Sequence, residues 1–233
     1  MTTVEAFAIV LKDNEVSEKG YSNLVASSSN VGNCFGINRF HAYQPNEATL
    51  GLQRHGIQWN WPWKEAQYDF ATGIKKVPYK TSDKRARISC FLSHYTLWLR
   101  CLETNTPHLI LEHDSLFVRR LDFDQFDLTG SVIIGINDPI GATRKSAKYH
   151  QLIQQNHNEL QRVPQIDDDQ IAQGLAGNSA YIITPQAARH VVDDVRRYGA
   201  WPNDALMCYQ LNPYLRVTRT YYTQVQRLKS TTT

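Results

Sequence analysis

Arg87–Phe117, RISCFLSHYTLWLRCLETNTPHLILEHDSLF, is the stretch that decides the fold. Across Ala86–Asn105 the apolar residues Ile88, Phe91, Leu92, Tyr95, Trp98, Leu99 and Leu102 recur at steps of three and four, which gives a helix one wide apolar face. Pro107 then interrupts the pattern, and His108–Leu111 (HLIL) follows as a short apolar strand that stops abruptly at Glu112, His113 and Asp114. A buried helix feeding a buried strand that ends in charge is the repeating unit of an α/β domain.

The same unit recurs on either side. Val4–Leu11 (VEAFAIVL) reads as a first buried strand, Phe35–Tyr43 as a second, Val132–Ile136 as a strand ending in polar Asn137 and Asp138, and Ser179–Ile183 as another. After the last, Thr184 and Pro185 supply a cap and a first-turn proline for a helix to about Tyr198, with Ala188, Val191, Val192 and Val195 inward and Gly199 as its stop. Asn203 is expected to cap a final helix through Leu211. Asn23–Gly36, rich in Ser, Asn and Gly, reads as a loop or irregular crossover, and Gly51–Tyr68, with Trp59, Trp61 and Trp63 around Pro62, as an irregular surface loop. Arg144–Arg162 is helix-compatible but polar nearly all round, as an exposed helix or a flap would be. The alternation predicts a largely parallel central sheet.

Size and composition narrow the function. With 233 residues, 42% hydrophobic and 20% charged, the chain can bury a full core and is neither disordered nor fibrous. A net charge of +3 without a concentrated basic face argues against a duplex-binding protein, so no nucleic-acid partner is expected. Cys34, Cys90, Cys101 and Cys208 form no zinc-type spacing and read as reduced, packed thiols. No apolar run approaches the roughly 20 residues that span a bilayer, and the amino terminus reads as a strand rather than a leader. A cytoplasmic location is the expectation. One domain over residues 1–229 is expected, with a disordered tail at 230–233.

Ligands of open α/β sheets bind beyond the carboxyl ends of strands. Glu112 and Asp114 sit there, and their alternate spacing can aim both carboxylates at one cavity, where hard oxygens suit Mg²⁺ or Mn²⁺ bridging a diphosphate. His113 reads first as a hydrogen-bonding neighbour. The acidic run Asp167–Asp169 lies in a polar stretch between Pro164 and Gly174 and reads as a solvated loop. A serine hydrolase is a poor fit, because the GxSxG elbow is missing.

Read together, these segments resemble glycosyltransferase family 25, the lipopolysaccharide and collagen galactosyltransferase group. Cys90, Ser93, His94, Trp98 and the strand ending at Glu112 and Asp114 match its Cys-x-x-Ser-His helix, aromatic turn and Glu-Asp-Asp strand end in order and spacing. Gly177–Ala188 (GNSAYIITPQAA) is similar to its Gly-x-x-Ala-Tyr strand and helix, Trp201–Met207 (WPNDALM) to its Pro-x-Asp element, and AFAIVLK and INRFHAYQ to its first two strands. Two departures stand out: His113 replaces the middle acid, and Val10, Leu11 and Lys12 close the first strand where an Asn before Leu is usual.

The resemblance implies a GT-A type, Rossmann-like fold that binds a nucleotide sugar, usually UDP-galactose or UDP-glucose. It implies transfer to a glycan or lipopolysaccharide-type acceptor with inversion, assisted by Mn²⁺ or Mg²⁺, and peripheral membrane association through the acceptor. Asp114 is then the metal ligand, and Glu112 a second ligand or a group that orients the donor. Asp204 is the candidate base, although an Asp in a first turn also favours the helix dipole. Ser93 and His94 either contact the donor or are buried hydrogen-bonding residues. Lys12 either meets the nucleotide phosphates or is solvated, while Gly177 and Asn178 allow the donor a close backbone approach. Trp59, Trp61 and Trp63 stack on acceptor sugars or fill the core. Two other readings are open: a sugar-binding protein of this fold that has lost transfer, and a nucleotide-binding hydrolase using the same carboxylates.

Overall fold

The computed structural model describes residues 3–141, 145–226 and 228. In chain order the strands are β1 (Glu5–Val10), β2 (Ile37–His41), β3 (Gln67–Asp69), β4 (Ile74–Lys76), β5 (His108–Glu112), β6 (Ser115–Phe117), β7 (Ile133–Gly135), β8 (Leu160–Arg162), β9 (Ala180–Ile183), β10 (Leu215–Thr218) and β11 (Thr223–Val225). The helices are α1 (Glu15–Asn30), α2 (Ala48–His55), α3 (Lys84–Thr104), α4 (Ser146–Gln155), α5 (Pro185–Tyr198) and α6 (Asn203–Leu206).

Seven strands form one sheet in the order β2-β1-β5-β9-β7-β10-β8, while β3-β4 and β6-β11 are separate two-stranded ladders. The helix α1 carries the chain from β1 to its parallel neighbour β2, as a parallel pair requires. β1 also runs parallel to β5, and β7 to β10. The expected largely parallel sheet is corrected here: β9 runs antiparallel to both β5 and β7, and β8 antiparallel to β10, so the sheet is mixed. A short, fully buried run such as AYII is apolar on both faces whichever way it points, so its direction is invisible in the sequence.

Successive side chains alternate across this sheet. Phe7, Ile9, Ile110, Tyr181 and Ile183 face a core completed by α3 and α5, while Ala6, Ala8, Leu109, Leu111 and Ile182 face a second core with Leu24 of α1, Phe117 and Phe126. α3 begins at Asp83, whose carboxylate accepts from Arg85 N (2.9 Å), and ends with Asn105 in the left-handed region. In α5 the expected inward face is fully buried, but Thr184 does not cap with its side chain, since its hydroxyl donates to Gly130 O at 2.7 Å.

Several local expectations change. Residues 15–30, in part expected as a loop, form α1, capped by Asn14 Oδ1 accepting from Ser17 N (2.9 Å). Its buried stripe is Ser17, Gly20, Leu24 and Ser28, so the spacing is helical while only Leu24 registers as apolar. The first turns of the expected loop 51–68 belong to α2, which Gly56 closes in the left-handed conformation. The stretch 144–162 is split between α4 and β8, with Arg144 outside the described residues, as is the tail at 230–233. The last helix stops at Leu206, and Asn203 is its first residue rather than its cap. No helix among the described residues is long and apolar enough to cross a membrane.

Candidate active site

β1, β5 and β7 are parallel members of one sheet, so their carboxyl ends lie along one edge, where the amino end of the reversed β9 joins them. A cleft of about 240 Å³ opens on that edge. Its walls come from the end of β1 (Ile9, Leu11), the segment after β2 (Ala42 to Pro45), one face of α3 (Ser89, Cys90, Ser93, His94) and the end of β5 (Glu112, His113).

Glu112 is held from both sides. Its backbone N–H donates to Ser179 O (2.7 Å), which also accepts from Ser115 Oγ (2.5 Å), and its carboxylate Oε1 lies 3.2 Å from His94 Nε2. His94 Nδ1 in turn lies 2.8 Å from the hydroxyl of Tyr181, which accepts from Trp98 Nε1 at 2.8 Å. An indole N–H can only donate, so the Tyr181 hydroxyl has its one proton left for His94 Nδ1. That leaves the His94 proton on Nε2, aimed at Glu112, and satisfies every member of the buried chain Trp98, Tyr181, His94, Glu112.

Asp114 occupies the turn after β5. Its Oδ1 is buried without a hydrogen-bond partner, and burial followed by repulsion from Glu112 pushes its carboxyl up to about 7. An acid in that state is poised for a cation. The turn is fixed by Gln226, which sequence reasoning missed: its backbone N–H donates to Asp114 O (2.6 Å), and its amide N–H groups are shared among Gly20 O, His113 O and Ser115 O at 2.9 to 3.2 Å. Asn23 Nδ2 donates to the same side chain's oxygen at 2.9 Å. A single glutamine near the end of a chain carries no motif that would have revealed this.

Asp204 joins the cluster from α6. Cys90 Sγ reaches Asn203 Oδ1 at 3.6 Å and so ties α3 to the start of α6. Burial raises the Asp204 carboxyl, Arg87 opposes that shift, and Glu112 adds to it, while the nearby Tyr79 hydroxyl favours the charged form. The Arg87 guanidinium stacks on Tyr79, 4.9 Å from the ring centre, and its Nε is buried without a partner. Arg87 opens the decisive stretch and Tyr181 lies within GNSAYIIT, so both sat in segments the sequence singled out without being assigned a role.

The remaining candidates fall in different places. Ser93 lines the cleft, but its hydroxyl is spoken for, donating to Ser89 O (2.8 Å) and accepting from Tyr43 N (3.0 Å). Lys12 is exposed in the turn after β1 and is not part of the cleft wall. Gly177, with φ at 76°, lines a separate small cavity with Gly135 and Asn137. Asn178 is buried with neither amide atom partnered, and Ser179 Oγ beside it is also unpartnered. Trp61 is buried, and Trp59 and Trp63 stack with ring centres 5.1 Å apart.

Two ligand sets share Glu112. Cys90, His94 and Glu112 bring a thiol, an imidazole and a carboxylate within 4.8 Å of one another. Such a mixed set suits zinc, yet burial, then the Glu112 charge, holds the Cys90 thiol well above its usual range, and His94 already uses both ring nitrogens. Glu112 with the orphaned Asp114 oxygen offers hard oxygens, which fit Mn²⁺ or Mg²⁺.

Among solved structures the chain is similar to mouse xyloside xylosyltransferase 1 in its apo form (TM-score 0.40, 9% identity, 91% of this chain and 84% of that one). It is also similar to the galactosyltransferase LgtC in complex with donor and acceptor sugar analogues (0.39, 10%, 91% and 72%) and to the apo bifunctional glycosyltransferase WbbM (0.43, 10%, 93% and 38%). No curated protein matches the chain. The model of glycosyltransferase family 25, described as an LPS biosynthesis protein, matches residues 35–207, a span that takes in β2, α3, the Glu112 to Asp114 turn, β9 and Asp204. The chain therefore belongs to glycosyltransferase family 25, and its mixed sheet is consistent with a GT-A-like fold.

Proposed function

We propose that the chain is one transferase domain that moves a hexose, galactose or glucose, from a UDP-sugar to a hydroxyl of a glycan acceptor with inversion. The observation that carries this reading is that the charge of Glu112, on the cleft wall, is felt by both Asp114 and Asp204, and that Asp114 keeps a buried, unpartnered oxygen. Glu112 and Asp114 would hold Mn²⁺ or Mg²⁺, which when bound supplies positive charge against the departing diphosphate. His94, fixed by Tyr181, holds the Glu112 carboxylate through Oε1.

Inversion in a single displacement needs a base on the acceptor side. Asp204 takes that role: its carboxylate accepts the proton of the acceptor hydroxyl as that oxygen bonds to the anomeric carbon, and the bond to the nucleotide diphosphate breaks with its electron pair leaving on UDP. Burial favours the protonated form of Asp204, which strengthens it as a base, and Arg87 keeps the ionised form accessible before reaction.

The test measures UDP release and glycosylated product from UDP-galactose and UDP-glucose with a panel of glycan acceptors. Asp204→Asn is expected to lower kcat by about a hundredfold or more with donor KM little changed. Release of UDP without glycosylated product points to a hydrolase, and donor binding without turnover in the native chain points to a binding protein. Either outcome overturns the proposal.

A further inference from the structure

The β3-β4 hairpin has two distinct faces. Inward, Ile74 is buried, and Lys76 forms an ion pair with Asp69 at 2.5 Å, donates to Asn60 O at 3.0 Å and sits 4.2 Å from the centre of the Trp201 ring. Lys75 N also donates to Gln170 O at 2.7 Å, so the hairpin is fastened to the body along its base. Outward, Tyr68 stands opposite Lys75 in the ladder, and both are exposed.

Phe70, at the turn, packs edge-on against Tyr68 with ring centres 5.1 Å apart, and it is 90% exposed. Tyr68 is 44% exposed and Val77 45%. An aromatic pair with an open ring at the tip of an anchored hairpin gains nothing from water, and among the described residues its rings stack only on each other.

Charge gathers in the same segment. Residues 64–85 hold six basic side chains (Lys64, Lys75, Lys76, Lys80, Lys84, Arg85) and three acidic ones (Glu65, Asp69, Asp83), a surplus equal to the +3 of the whole chain. Asp69 is taken by Lys76 and Asp83 by Arg85, which leaves Lys64, Lys75, Lys80 and Lys84 exposed against Glu65. Exposed aromatic rings flanked by lysines match the interface of an anionic bilayer, where rings seat at headgroup level and each basic side chain adds attraction.

We infer that this hairpin docks the protein on an anionic lipid surface, with Phe70 and Tyr68 entering the headgroup region and the exposed lysines meeting lipid phosphates. Three residues beyond β4, Tyr79 lies against Asp204, so a docked hairpin also holds that carboxyl near the bilayer. That second consequence rests on the transferase reading and fits an acceptor carried by a lipid; the docking itself does not depend on it.

Sedimentation with vesicles tests the inference on the full chain. Vesicles of equimolar phosphatidylglycerol and phosphatidylcholine are expected to pellet the protein, pure phosphatidylcholine vesicles are not, and raised salt weakens the binding. Phe70→Asp and Lys75→Glu each lower the affinity about tenfold or more, and thermal unfolding of both variants, whose changed side chains are exposed, confirms that they fold. Failure of the native chain to pellet with anionic vesicles, or equal pelleting of Phe70→Asp, overturns the inference. So does a self-association, seen by analytical ultracentrifugation, that Phe70→Asp abolishes, because a second copy would then be the occupant. UDP binding measured in parallel without lipid separates this outcome from failure of the transferase reading.

Discussion

Tyr181 shows how much of the site rests on one hydroxyl. It joins the only donor of Trp98 to His94 Nδ1 and thereby sets which nitrogen of His94 faces Glu112. Tyr181→Phe keeps the ring and removes the relay, leaving an indole N–H and an imidazole nitrogen buried without partners. The expected cost is about 2 kcal/mol in a denaturant titration, together with a UDP affinity about tenfold weaker as Glu112 loses its orientation. The sequence placed this residue in the strand GNSAYIIT, yet only the packing of α3 against β9 reveals what its hydroxyl touches. Ser93 is the converse case: the sequence left it either a donor contact or a buried hydrogen-bonding residue, and in the fold its hydroxyl bridges α3 to the segment after β2.

At the scale of elements, the Glu112 to Asp114 turn is only as well placed as α1, β6 and Gln226 make it. A methyl group at Gly20 would come within 2.6 Å of His113 O, so α1 can lie on this turn only with glycine there. Gly20→Ala is expected to destabilise the fold by about 1 to 3 kcal/mol, and to weaken UDP binding by shifting the turn, both measurable in one thermal series with and without nucleotide. This helix was also the least legible element. Its Asn14 cap, early acids and stripe at 17, 20, 24 and 28 follow helical rules, but serine and glycine fill every buried position except Leu24, so a search for apolar periodicity passes over it. The elements α3, β5, β9 and α5 were legible because leucine, isoleucine, valine and aromatic residues fill theirs.

For the whole molecule, the sequence carried the order of the apolar elements β1, β2, α3, β5, β7, β9 and α5 but not strand direction, since β9 reverses while keeping the buried apolar pattern of its neighbours, and it missed β8, whose LQR lies in a stretch expected as a helix or flap. The edge where the acids meet is a product of that arrangement, and Asp204 reaches it across 90 residues from Asp114 only because α6 packs on α3. Buried titrating groups elsewhere make overall stability depend on pH. Asp194 is held up at about 6, chiefly by burial, with Arg197 and His190 opposing, and its Oδ2 is unpartnered. A carboxyl raised in the folded state costs stability as pH climbs from its ordinary 3.8 through about 6. Asp194→Asn is therefore expected to match the native chain below that window and to exceed it by about 1 kcal/mol above it, the figure being lowered for partial exposure. His108, pushed down to about 4 chiefly by burial, acts in the opposite direction. Its contribution is complete above the ordinary histidine pKa and is lost as pH falls toward 4, so Asp194→Asn should show the steeper loss of stability in acid when unfolding is followed across pH.

The central claim is that the carboxylates of Glu112 and Asp114 act together on a nucleotide diphosphate, and calorimetric titration of UDP with and without Mn²⁺ tests it most directly. The native chain is expected to bind UDP far more tightly with Mn²⁺, and Asp114→Asn to lose about a hundredfold of that gain, while unfolding at the native temperature or above. UDP binding that ignores Mn²⁺, or that is the same in Asp114→Asn as in the native chain, would contradict it.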